Sequence, residues 1–478
     1  MTATGDISDA PARRSIGASR AKSGNNGLLL LFFVALLIPA YVEIAGLRLS
    51  PLRVYLLVAM IPLTIQVLRG AAGRVTGVDI FMLLHAFWIV IALVVVHGTE
   101  RILFAGITMV ELVGGYFVGR SLIRNAQTYK RFTMILLGTL VVLFPLALVE
   151  HLTGRILLAE VIGKFAGTIF RADSAYSRMG LERVYAAFEH PILYGLYCSV
   201  AIANLYYIAK RGSFWRLIAM GFAVFMTFMS LSSAPLISCG LQFGLILWDR
   251  IMKGRWTLFI VLAVTGYVVI DALSNRTPVT IMIETLTFNP ATGWTRIAIF
   301  DAGIAAAISN PIFGIGFNDW PRPHWVTSSV DNFWLLTTMR YGFVGSGLIV
   351  LAFLSHFWLA MRTPVHDEQI KRLRTGHLIA LTAVCFTIVT VHIWGAVGVF
   401  VMFYLGAGSW IYTGGADAPP PDAAPDGTTP DDGAPKATRY SRFAPKKREA
   451  KAMRPKPAMR RQLRTSRLRS AGTATRSR

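Results

Sequence analysis

The chain has 478 residues, of which 54% are hydrophobic and only 15% are charged. Soluble domains carry about 25% charged residues, so this composition excludes an ordinary soluble protein. The formal net charge of +23 is not distributed like a nucleic-acid-binding surface. From Gly414 to Arg478 there are 16 Lys and Arg against 6 Asp and Glu. Most of the remaining excess lies in short loops between apolar segments, where it is an orientation signal.

Apolar segments of about 18 residues or more recur along the chain, and each is long enough to cross a hydrocarbon core of ~30 Å as a helix. These segments do not alternate apolar and polar residues, as the strands of a membrane barrel do. The sequence therefore predicts an all-α, polytopic integral membrane protein with about 12 transmembrane helices. The predicted spans are 27–45, 51–68, 79–97, 102–119, 132–149, 188–208, 215–232, 234–248, 256–273, 332–359, 377–394 and 396–413.

Basic residues are concentrated in alternate loops. Together with the two termini, the loops on the side of the basic N-terminus contain 36 of the 48 Lys and Arg, which places both termini in the cytoplasm. The sequence thus predicts a disordered N-terminus at 1–26, a membrane domain at 27–413, and a disordered, Pro/Ala-rich basic tail at 414–478. The tail is interpreted either as a contact for anionic lipid or as a solvated segment without a specific role.

Two long segments then face outward, at about 150–187 and 274–330, and both are expected to contain short helices. Loops carry functional residues more often than the elements they connect, so we expect the functional face here. The first segment ends in "ERVYAAFEHPILYG", in which Arg183, Glu189 and His190 lead into a span. One interpretation is a helix start, with Pro191 in the first turn and an interfacial histidine. The other is a binding site.

The second outward segment contains "GWTRIAIFDAGIAAAISNPIFGIGFNDWPRP". Its apolar residues recur at spacings of three and four, which predicts a helix with an apolar stripe, lying on the membrane or on the spans, with Arg296 near its start. The stripe consists of Ile297, Phe300, Ile304 and Ile308. The proline and glycines of "NPIFGIGF" predict a break followed by a tight turn. Gly314 and Gly316 alone are a weak signal for a phosphate-binding loop.

The stretch "SSVDNFWLLTTMRYGFVGSGLIV" contains an arginine inside an apolar segment. If the span begins near Asn332, then Arg340 lies about 12 Å along the helix axis. A charge near the centre of a membrane costs ~2.5–3.5 kcal/mol or more, so we expect Arg340 to face a polar cavity or an ionic partner. A purely structural ion pair inside the bundle is the alternative.

Several charged side chains thus lie on or open toward the outward face. Its four arginines can hold an anion such as a diphosphate, because the guanidinium group binds phosphate with bidentate geometry. These are Arg183, Arg296, Arg322 and Arg340. Candidate bases on the same face are Asp331, Glu189, His190 and His324. From the residues alone, the prediction is an outward-facing cavity for an anionic lipid.

Three stretches resemble the O-antigen ligase and polysaccharide polymerase superfamily of bacterial inner membranes. "RVYAAFEHPILYG" is similar to the family's Arg…Phe-x-His-Pro segment, and "TRIAIFDAGIAAAISNPIFGIGFNDW" is similar to its Arg-headed helix and following turn. "DNFWLLTTMRYGFVG" resembles the ligase pattern of His-Asn, nine residues and Gly-x-x-Gly, with Asn332, Gly342 and Gly345 in register. The chain departs from that pattern at Asp331, where the ligases carry a histidine, and this departure favours a polymerase over a lipid A-core ligase.

The resemblance implies a GT-C-like fold and glycosyl transfer at the periplasmic face of the inner membrane, from an undecaprenyl-diphosphate-linked oligosaccharide to an acceptor sugar hydroxyl. The outer loops have no cluster of acids with metal-ligand spacing, so we predict no metal and no cofactor, and the charge distribution predicts no nucleic-acid partner. Membrane lipids and other polysaccharide assembly and export proteins are the further partners. Expected catalytic residues are Asp331, Glu189 and, from the loop, His324. Expected substrate-binding residues are Arg183, His190, Arg296, Arg340 and Asn332.

Two other functions stay open at this point. An O-antigen ligase would transfer glycan to lipid A-core or another acceptor. A lipid-linked sugar transporter or flippase has a similar number of spans and buried charges, but such proteins often have two related halves. The sequence has no clear internal repeat, and its polar residues gather toward one face. These features favour an enzyme.

Overall fold

Helices form over the apolar segments of the chain. The computed structural model describes residues 26–44, 46–170, 177–178, 180–209, 212–274 and 290–414. All of them belong to one compact unit, Met1–Pro420. Of the predicted disordered ends, 1–26 and 414–478, all but residues 26 and 414 lie outside the described residues. Most of the segment that precedes Arg296 in the second outward loop also lies outside them.

The described residues are mostly helical, with a few short strands. The helices are α1 Asn26–Leu37, α2 Pro51–Leu68, α3 Gly77–His97, α4 Ile102–Leu122, α5 Ala126–Thr153, α6 Leu157–Ile162, α7 Pro191–Ser199, α8 Ala201–Ile208, α9 Phe214–Phe228, α10 Ser233–Met252, α11 Trp256–Leu273, α12 Pro290–Ser309, α13 Phe333–Arg362, α14 Glu368–Thr387 and α15 Gly395–Ala407. The strands are β1 Ala40–Ile44, β2 Leu47–Leu49, β3 Gly167–Thr168, β4 Ser177–Arg178 and β5 Leu181–Glu182. Short 3₁₀ turns cover Gly98–Arg101 and Ser409–Ile411.

Six continuous helical segments in the described part of the chain are long and apolar enough to cross a membrane. One of them, Gly77–Leu122, contains both α3 and α4, and another, Pro191–Ile208, contains α7 and α8. Three further apolar helical segments are shorter than a typical span: Asn26–Leu37, Phe214–Phe228 and Gly395–Ile411. The chain is therefore a helical membrane protein, and the count of twelve spans stays a prediction.

The first predicted span is shorter than expected. Helix α1 ends at Leu37, and Ala40–Ile44 forms β1, which pairs antiparallel with Leu47–Leu49 and with Gly167–Thr168. Three of the five β1 residues carry β-branched or aromatic side chains, which favour strands. This small sheet joins the first outer turn to the loop before α7.

Most residues of α7, α8 and α15 are buried against neighbouring elements. Helix α11, in contrast, buries none of its residues against the described chain. Glycines allow α4 and α15 to approach closely, since a Cβ on Gly115 would lie 3.1 Å from Cγ1 of Val399. Close backbone approach at small residues is the usual way in which helices associate in membranes.

A buried ion pair joins α3 to α4 near their predicted cytoplasmic ends. Nε of Arg120 lies 3.0 Å from Oδ1 of Asp79, and neither side chain is more than 1% exposed. Tyr116 donates a further hydrogen bond to the same carboxylate, at 2.8 Å. Asp79 also accepts a hydrogen bond from the backbone N–H of Thr76, which closes the start of α3. This intramembrane acid is therefore a structural pair partner, distant in sequence from the outward segments.

Helix α13 is interrupted at Gly342, where φ is 70° and ψ is 179°. The turn after α12 fills the gap in its hydrogen bonding: Phe343 N–H donates to the carbonyl of Pro311 at 2.7 Å, and Ile315 N–H donates to that of Met339 at 2.7 Å. The segment "NPIFGIGF", where the sequence predicts the end of α12, thus supplies the backbone hydrogen bonds that stabilise α13 at its interruption. A side chain at Gly342 would collide with the Ile312 carbonyl.

The predicted helix in the second outward segment is present as α12, but its buried face differs from the predicted stripe. Phe300 and Ile308 are 47% and 63% exposed. The face that packs against Leu335 and Met339 of α13 is built mainly from alanines and Ile299, and of the predicted stripe Ile304 packs against it. A Cβ on Gly303 would lie only 2.9 Å from either neighbour. Because small residues allow α12 to approach α13, the larger apolar side chains face outward.

Candidate functional site

A cavity of about 1200 Å³ opens among the helix ends that the sequence predicts to face outward. The end of α1, the starts of α2, α7 and α15, and the loop preceding α13 all contribute to its walls. The cavity contains five of the eight predicted site residues: Arg183, Glu189, His190, Arg296 and Asp331. It thus joins residues from both outward segments in one site.

The described lining of this cavity is rich in positive charge. It contains five arginines and three carboxyl groups, which leaves a formal excess of +2 with neutral histidines. The arginines are Arg48, Arg53, Arg178, Arg183 and Arg296, and the carboxyl groups belong to Glu111, Glu189 and Asp331. Such an excess in a cleft with apolar walls attracts an anion.

Two of the arginines are held by the loop between α9 and α10. Arg183 donates from Nε to the carbonyl of Ser230 at 3.2 Å and from Nη2 to Oγ of Ser232 at 2.8 Å. Arg178 donates to the carbonyl of Leu231 at 3.0 Å. These hydrogen bonds orient both guanidinium groups in the wall of the cavity.

Arg53 differs, because Glu111 on α4 neutralises it. Nε of Arg53 lies 2.8 Å from Oε1 of Glu111, and both side chains are more than two-thirds buried. Arg53 also donates to the carbonyl of Arg48 in β2. This ion pair links the first outer turn to the centre of α4, and it gives the cavity one fixed wall.

Arg296 has an unsatisfied donor. Its Nε is buried without a hydrogen-bond partner, and its Nη2 lies 3.9 Å from Oδ2 of Asp331. Burial lowers the pKa of Arg296, and the charge of Asp331 opposes that shift. Asp331 itself is half exposed and accepts a hydrogen bond from Oγ of Ser329 at 3.3 Å. A buried, unpaired donor is costly, and an oxygen of a ligand would satisfy it.

Glu189 is the buried carboxyl group of the cavity. Its Oε1 accepts a long hydrogen bond of 3.4 Å from the backbone N–H of Ala396, whereas Oε2 is buried without a partner. Burial raises the pKa of Glu189 to about 7. A carboxyl group that titrates near neutral pH is suited to proton transfer.

His190 serves mainly as a helix cap. Its Nδ1 accepts a hydrogen bond from the N–H of Ile192 at 3.1 Å, and Pro191 occupies the first turn of α7. Burial, together with the charges of Arg183 and Arg178, lowers the pKa of His190 to about 4, so the ring is neutral at pH 7. The structure thus confirms the helix start with His190 as its cap, whereas Glu189 and Arg183 line the cavity and their binding role stays a prediction.

A second, smaller cavity of about 130 Å³ adjoins the first. The two cavities share four lining residues: Glu111, His392, Trp394 and Gly395. Arg340 lines the smaller one, with its guanidinium carbon 4.9 Å from the ring centre of Phe317. None of the described carboxylates forms an ion pair with Arg340. The arginine that the sequence singled out thus lines a mostly apolar cavity and has no acidic partner among the described residues, so its role stays a prediction.

Three predicted residues lie outside the lining of both cavities. His324 is exposed in the loop before α13. Asn332 caps α13 by accepting a hydrogen bond from the N–H of Leu335 at 3.0 Å. Arg322 pairs with Asp319 and lies over the ring of Trp320. The structure therefore gives Asn332 a local helix-capping contact and Arg322 a local ion pair.

Sequence reasoning missed four residues of the site: Arg48, Arg53, Arg178 and Trp394. The three arginines had a usable signal, because the positive-inside rule depletes basic residues from outward loops. Trp394 had none, since a tryptophan at a span end is common in any membrane protein. Only the fold brings its ring, which is 40% exposed, to the boundary of the two cavities.

No protein-family model matches this chain, and no curated protein matches it significantly. The family resemblance therefore rests on its three motifs. The part of the chain that the structure describes also contains no group of three or more His, Cys, Asp or Glu placed to hold a metal ion. Metal independence stays a prediction.

Proposed function

We propose that this protein is a polysaccharide polymerase that transfers a glycan from a polyprenyl-diphosphate lipid to an acceptor sugar hydroxyl. The observation that carries the proposal is the arginine-rich cavity of about 1200 Å³, in which Arg183, Arg296, Glu189 and Asp331 meet. Such a volume accommodates a diphosphate with its adjoining sugars. An undecaprenyl diphosphate is the donor that the motif resemblance implies.

The finer membrane arrangement belongs to the same proposal. The chain crosses the bacterial inner membrane twelve times in a GT-C-like fold, with both termini in the cytoplasm. Support comes from the cavity lining, since its contributing helix ends are those that the positive-inside rule assigns to the outward side. The active site then lies at the periplasmic face, where lipid-linked glycans are joined.

The proposed reaction is a substitution at the anomeric carbon. The acceptor oxygen forms a bond to that carbon, and the bond from the carbon to the diphosphate oxygen breaks, so the electron pair leaves with the diphosphate. Arg183 and Arg296 stabilise the charge that develops there, as donors fixed in the cavity wall. The acceptor hydroxyl loses its proton to a carboxylate.

Two carboxylates can take this proton, and their surroundings assign them different roles. Glu189 is buried and has a pKa of about 7, which suits a general base. Asp331 lies within 3.9 Å of Arg296 at the cavity edge, so it orients that arginine or the acceptor. We therefore assign proton transfer to Glu189 and positioning to Asp331.

A matched pair of arginine variants tests the proposal. Arg296→Ala removes a cavity donor, whereas Arg322→Ala removes an arginine of the same outward segment that lies outside both cavities. Each variant is expressed in the native host, its protein level is checked, and surface polysaccharide and lipid-linked units are measured. We expect Arg296→Ala to lose long polymer and to accumulate single lipid-linked units, and Arg322→Ala to resemble wild type.

Other outcomes identify the alternatives. Lipid-linked polymer that forms but does not reach its final acceptor indicates a ligase. Unchanged glycans from a normally expressed Arg296→Ala variant overturn the proposed site. A transporter is recognised with the purified protein and lipid-linked repeat units, because only a transferase releases polyprenyl diphosphate while a longer glycan appears.

A further inference from the structure

The smaller cavity contains a charge, that of Arg340, for which the described part of the chain supplies the ring of Phe317 but no carboxylate partner. Arg340 lies in the first half of α13, within an apolar span, and none of the described carboxylates pairs with it. Glu111 lines the same cavity, but it already forms its 2.8 Å ion pair with Arg53. A guanidinium group in such surroundings is costly unless an anion meets it. Because no described carboxylate meets Arg340, an anionic ligand can supply its counter-charge.

The other walls of this cavity suit a sugar ring. Trp394 lies between the two cavities, with its ring centre 5.6 Å from that of His392 and an interplanar angle of 26°. The face of an indole ring carries negative charge density, which attracts the C–H bonds on one face of a pyranose. His392 adds a buried Nδ1 without a hydrogen-bond partner, which can bond a hydroxyl group.

The following inference rests on the proposed function. We propose that the smaller cavity is a subsite for an acidic sugar of the acceptor glycan, with Arg340 binding its carboxylate and Trp394 packing against its ring. The cavity adjoins the arginine-rich one through Glu111, His392 and Gly395, so a sugar bound there lies next to the proposed diphosphate site. The polymer that this protein builds then contains a uronic acid or a sugar with an equivalent carboxylate.

The charges around Arg340 give this subsite its selectivity. Besides Glu111 and His392, the lining contains two other titratable side chains, Tyr341 and His85, and Nδ1 of His85 lies 2.8 Å from the carbonyl of Gly345. A neutral sugar would leave Arg340 without a counter-charge, whereas a carboxylate forms charge-assisted hydrogen bonds with it. Such a contact changes affinity by about 10- to 100-fold.

The test is a binding measurement that requires no transfer. Cellobiouronic acid and cellobiose differ by one carboxylate, and their affinities for the full-length protein in lipid nanodiscs are compared at constant ionic strength. We expect wild type to bind cellobiouronic acid at least about 10-fold more tightly. Arg340→Gln should remove this preference, Arg340→Lys should retain part of it, and Arg322→Gln should leave it unchanged. Trp394→Ala should weaken the binding of both disaccharides.

Several results overturn the inference. One is equal affinity of wild type for the two disaccharides, and another is no binding of either. A preference that persists in Arg340→Gln, or that is lost in Arg296→Gln instead, places the carboxylate in the larger cavity. If Arg340→Gln does not fold, the methyl ester of cellobiouronic acid replaces the variant, since wild type should bind this uncharged analogue like cellobiose.

This experiment is independent of the test of transfer. A carboxylate preference that depends on Arg340, together with unchanged glycans in Arg296→Ala, supports the carboxylate subsite and contradicts the proposed transferase activity. Loss of polymer in Arg296→Ala, without any carboxylate preference in wild type, supports the transferase activity and contradicts the carboxylate subsite.

Discussion

Glu189 and Gly395 are in direct contact across the wall between the two cavities. Gly395 has a φ of 54°, and a Cβ added to it would overlap Oε1 of Glu189 and lie 2.6 Å from the carboxyl carbon. The next residue, Ala396, donates its N–H to the same oxygen. The glycine at the start of α15 therefore creates the space in which the buried carboxyl group is held. This contact joins the loop before α7 to the last described helix.

The substitution Gly395→Ala should displace Glu189 and strain the backbone, because L-residues rarely adopt positive φ. We expect a loss of about 1–3 kcal/mol in unfolding free energy and a larger, separate loss of transfer activity. Thermal unfolding in detergent and release of polyprenyl diphosphate measure the two effects. Gly398→Ala is the control, since its Cβ would make only ordinary contacts, at 3.7 Å. Equal activity in the two variants would contradict the role of this contact.

The pH dependence of transfer should report on Glu189. Burial raises the pKa of this carboxyl group to about 7, and only its ionised form accepts a proton. The rate should therefore rise with pH and level off above about 7. Glu189→Gln should lower the rate strongly and remove this inflection, as measured by polyprenyl diphosphate release across the pH range. An unchanged inflection in Glu189→Gln would assign the proton transfer to another group, with Asp331→Asn as the next variant to test.

Stability should respond to pH through the same loop, with opposite signs at two neighbouring residues. Glu189 has a raised pKa, so the folded state holds a proton that the unfolded state releases, and stability falls as pH rises from about 4.5 to 7. His190 has a lowered pKa, so its contribution increases from about pH 4 to 6.5. Glu189→Gln should make the unfolding temperature rise more steeply with pH in this range. His190→Asn, which keeps a capping side chain, should have the reverse effect.

Much of the candidate site was predictable because its charged residues lie where membrane proteins usually carry none, in an apolar segment or in outward loops. Arg340 stands out in an apolar segment, and Arg183 and Arg296 lie in loops that the positive-inside rule depletes of basic residues. The cavity then brings together five of the eight predicted residues. Periodicity also predicted α12, but not its buried face, because packing through Gly303 is a property of the pair of helices rather than of one sequence.

Other features depend on long-range contacts that no local pattern encodes. The sequence analysis names Asn332 as a substrate-binding residue and His324 as a catalytic candidate. In the structure Asn332 caps a helix, and His324 is exposed outside both cavities. Trp394 borders both cavities only because α15 packs against α4 and α7. The end of α1 at Leu37 likewise follows from pairing of β1 with β3, more than 120 residues later in the chain.

The turn after α12 and the interruption of α13 at Gly342 interlock through backbone hydrogen bonds. This interlock should be sensitive to a single added methyl group. Gly342→Ala places a Cβ on the Ile312 carbonyl at a positive φ, so we expect a loss of about 3 kcal/mol or more in unfolding free energy. Gly347→Ala, on the same helix, has no atom within 4 Å of its Cβ and should be neutral or stabilising by about 0.5–1 kcal/mol. Thermal unfolding of both variants in detergent provides the comparison. Similar unfolding temperatures would contradict the interlock.

The buried pair of Asp79 and Arg120 should matter for stability and not for chemistry. Asp79→Ala leaves the guanidinium group of Arg120 without its 3.0 Å partner in the protein interior, so we expect a loss of about 3–5 kcal/mol. Glu160→Ala breaks an ion pair with Arg155 that is exposed to solvent, and such pairs contribute little. Thermal unfolding should therefore distinguish the two variants clearly.

The double variant Asp79→Leu with Arg120→Met completes this test. It removes both charges together, so no unpaired charge is left buried, although Tyr116 and Thr76 lose their acceptor. The double variant should therefore recover part of the stability that Asp79→Ala loses. Transfer activity per folded molecule should stay near wild type in the double variant, since both residues lie near the ends of α3 and α4 that are distant from the cavity lining. A double variant that folds well but transfers no glycan would contradict this, and would give the ion pair a part in the reaction cycle.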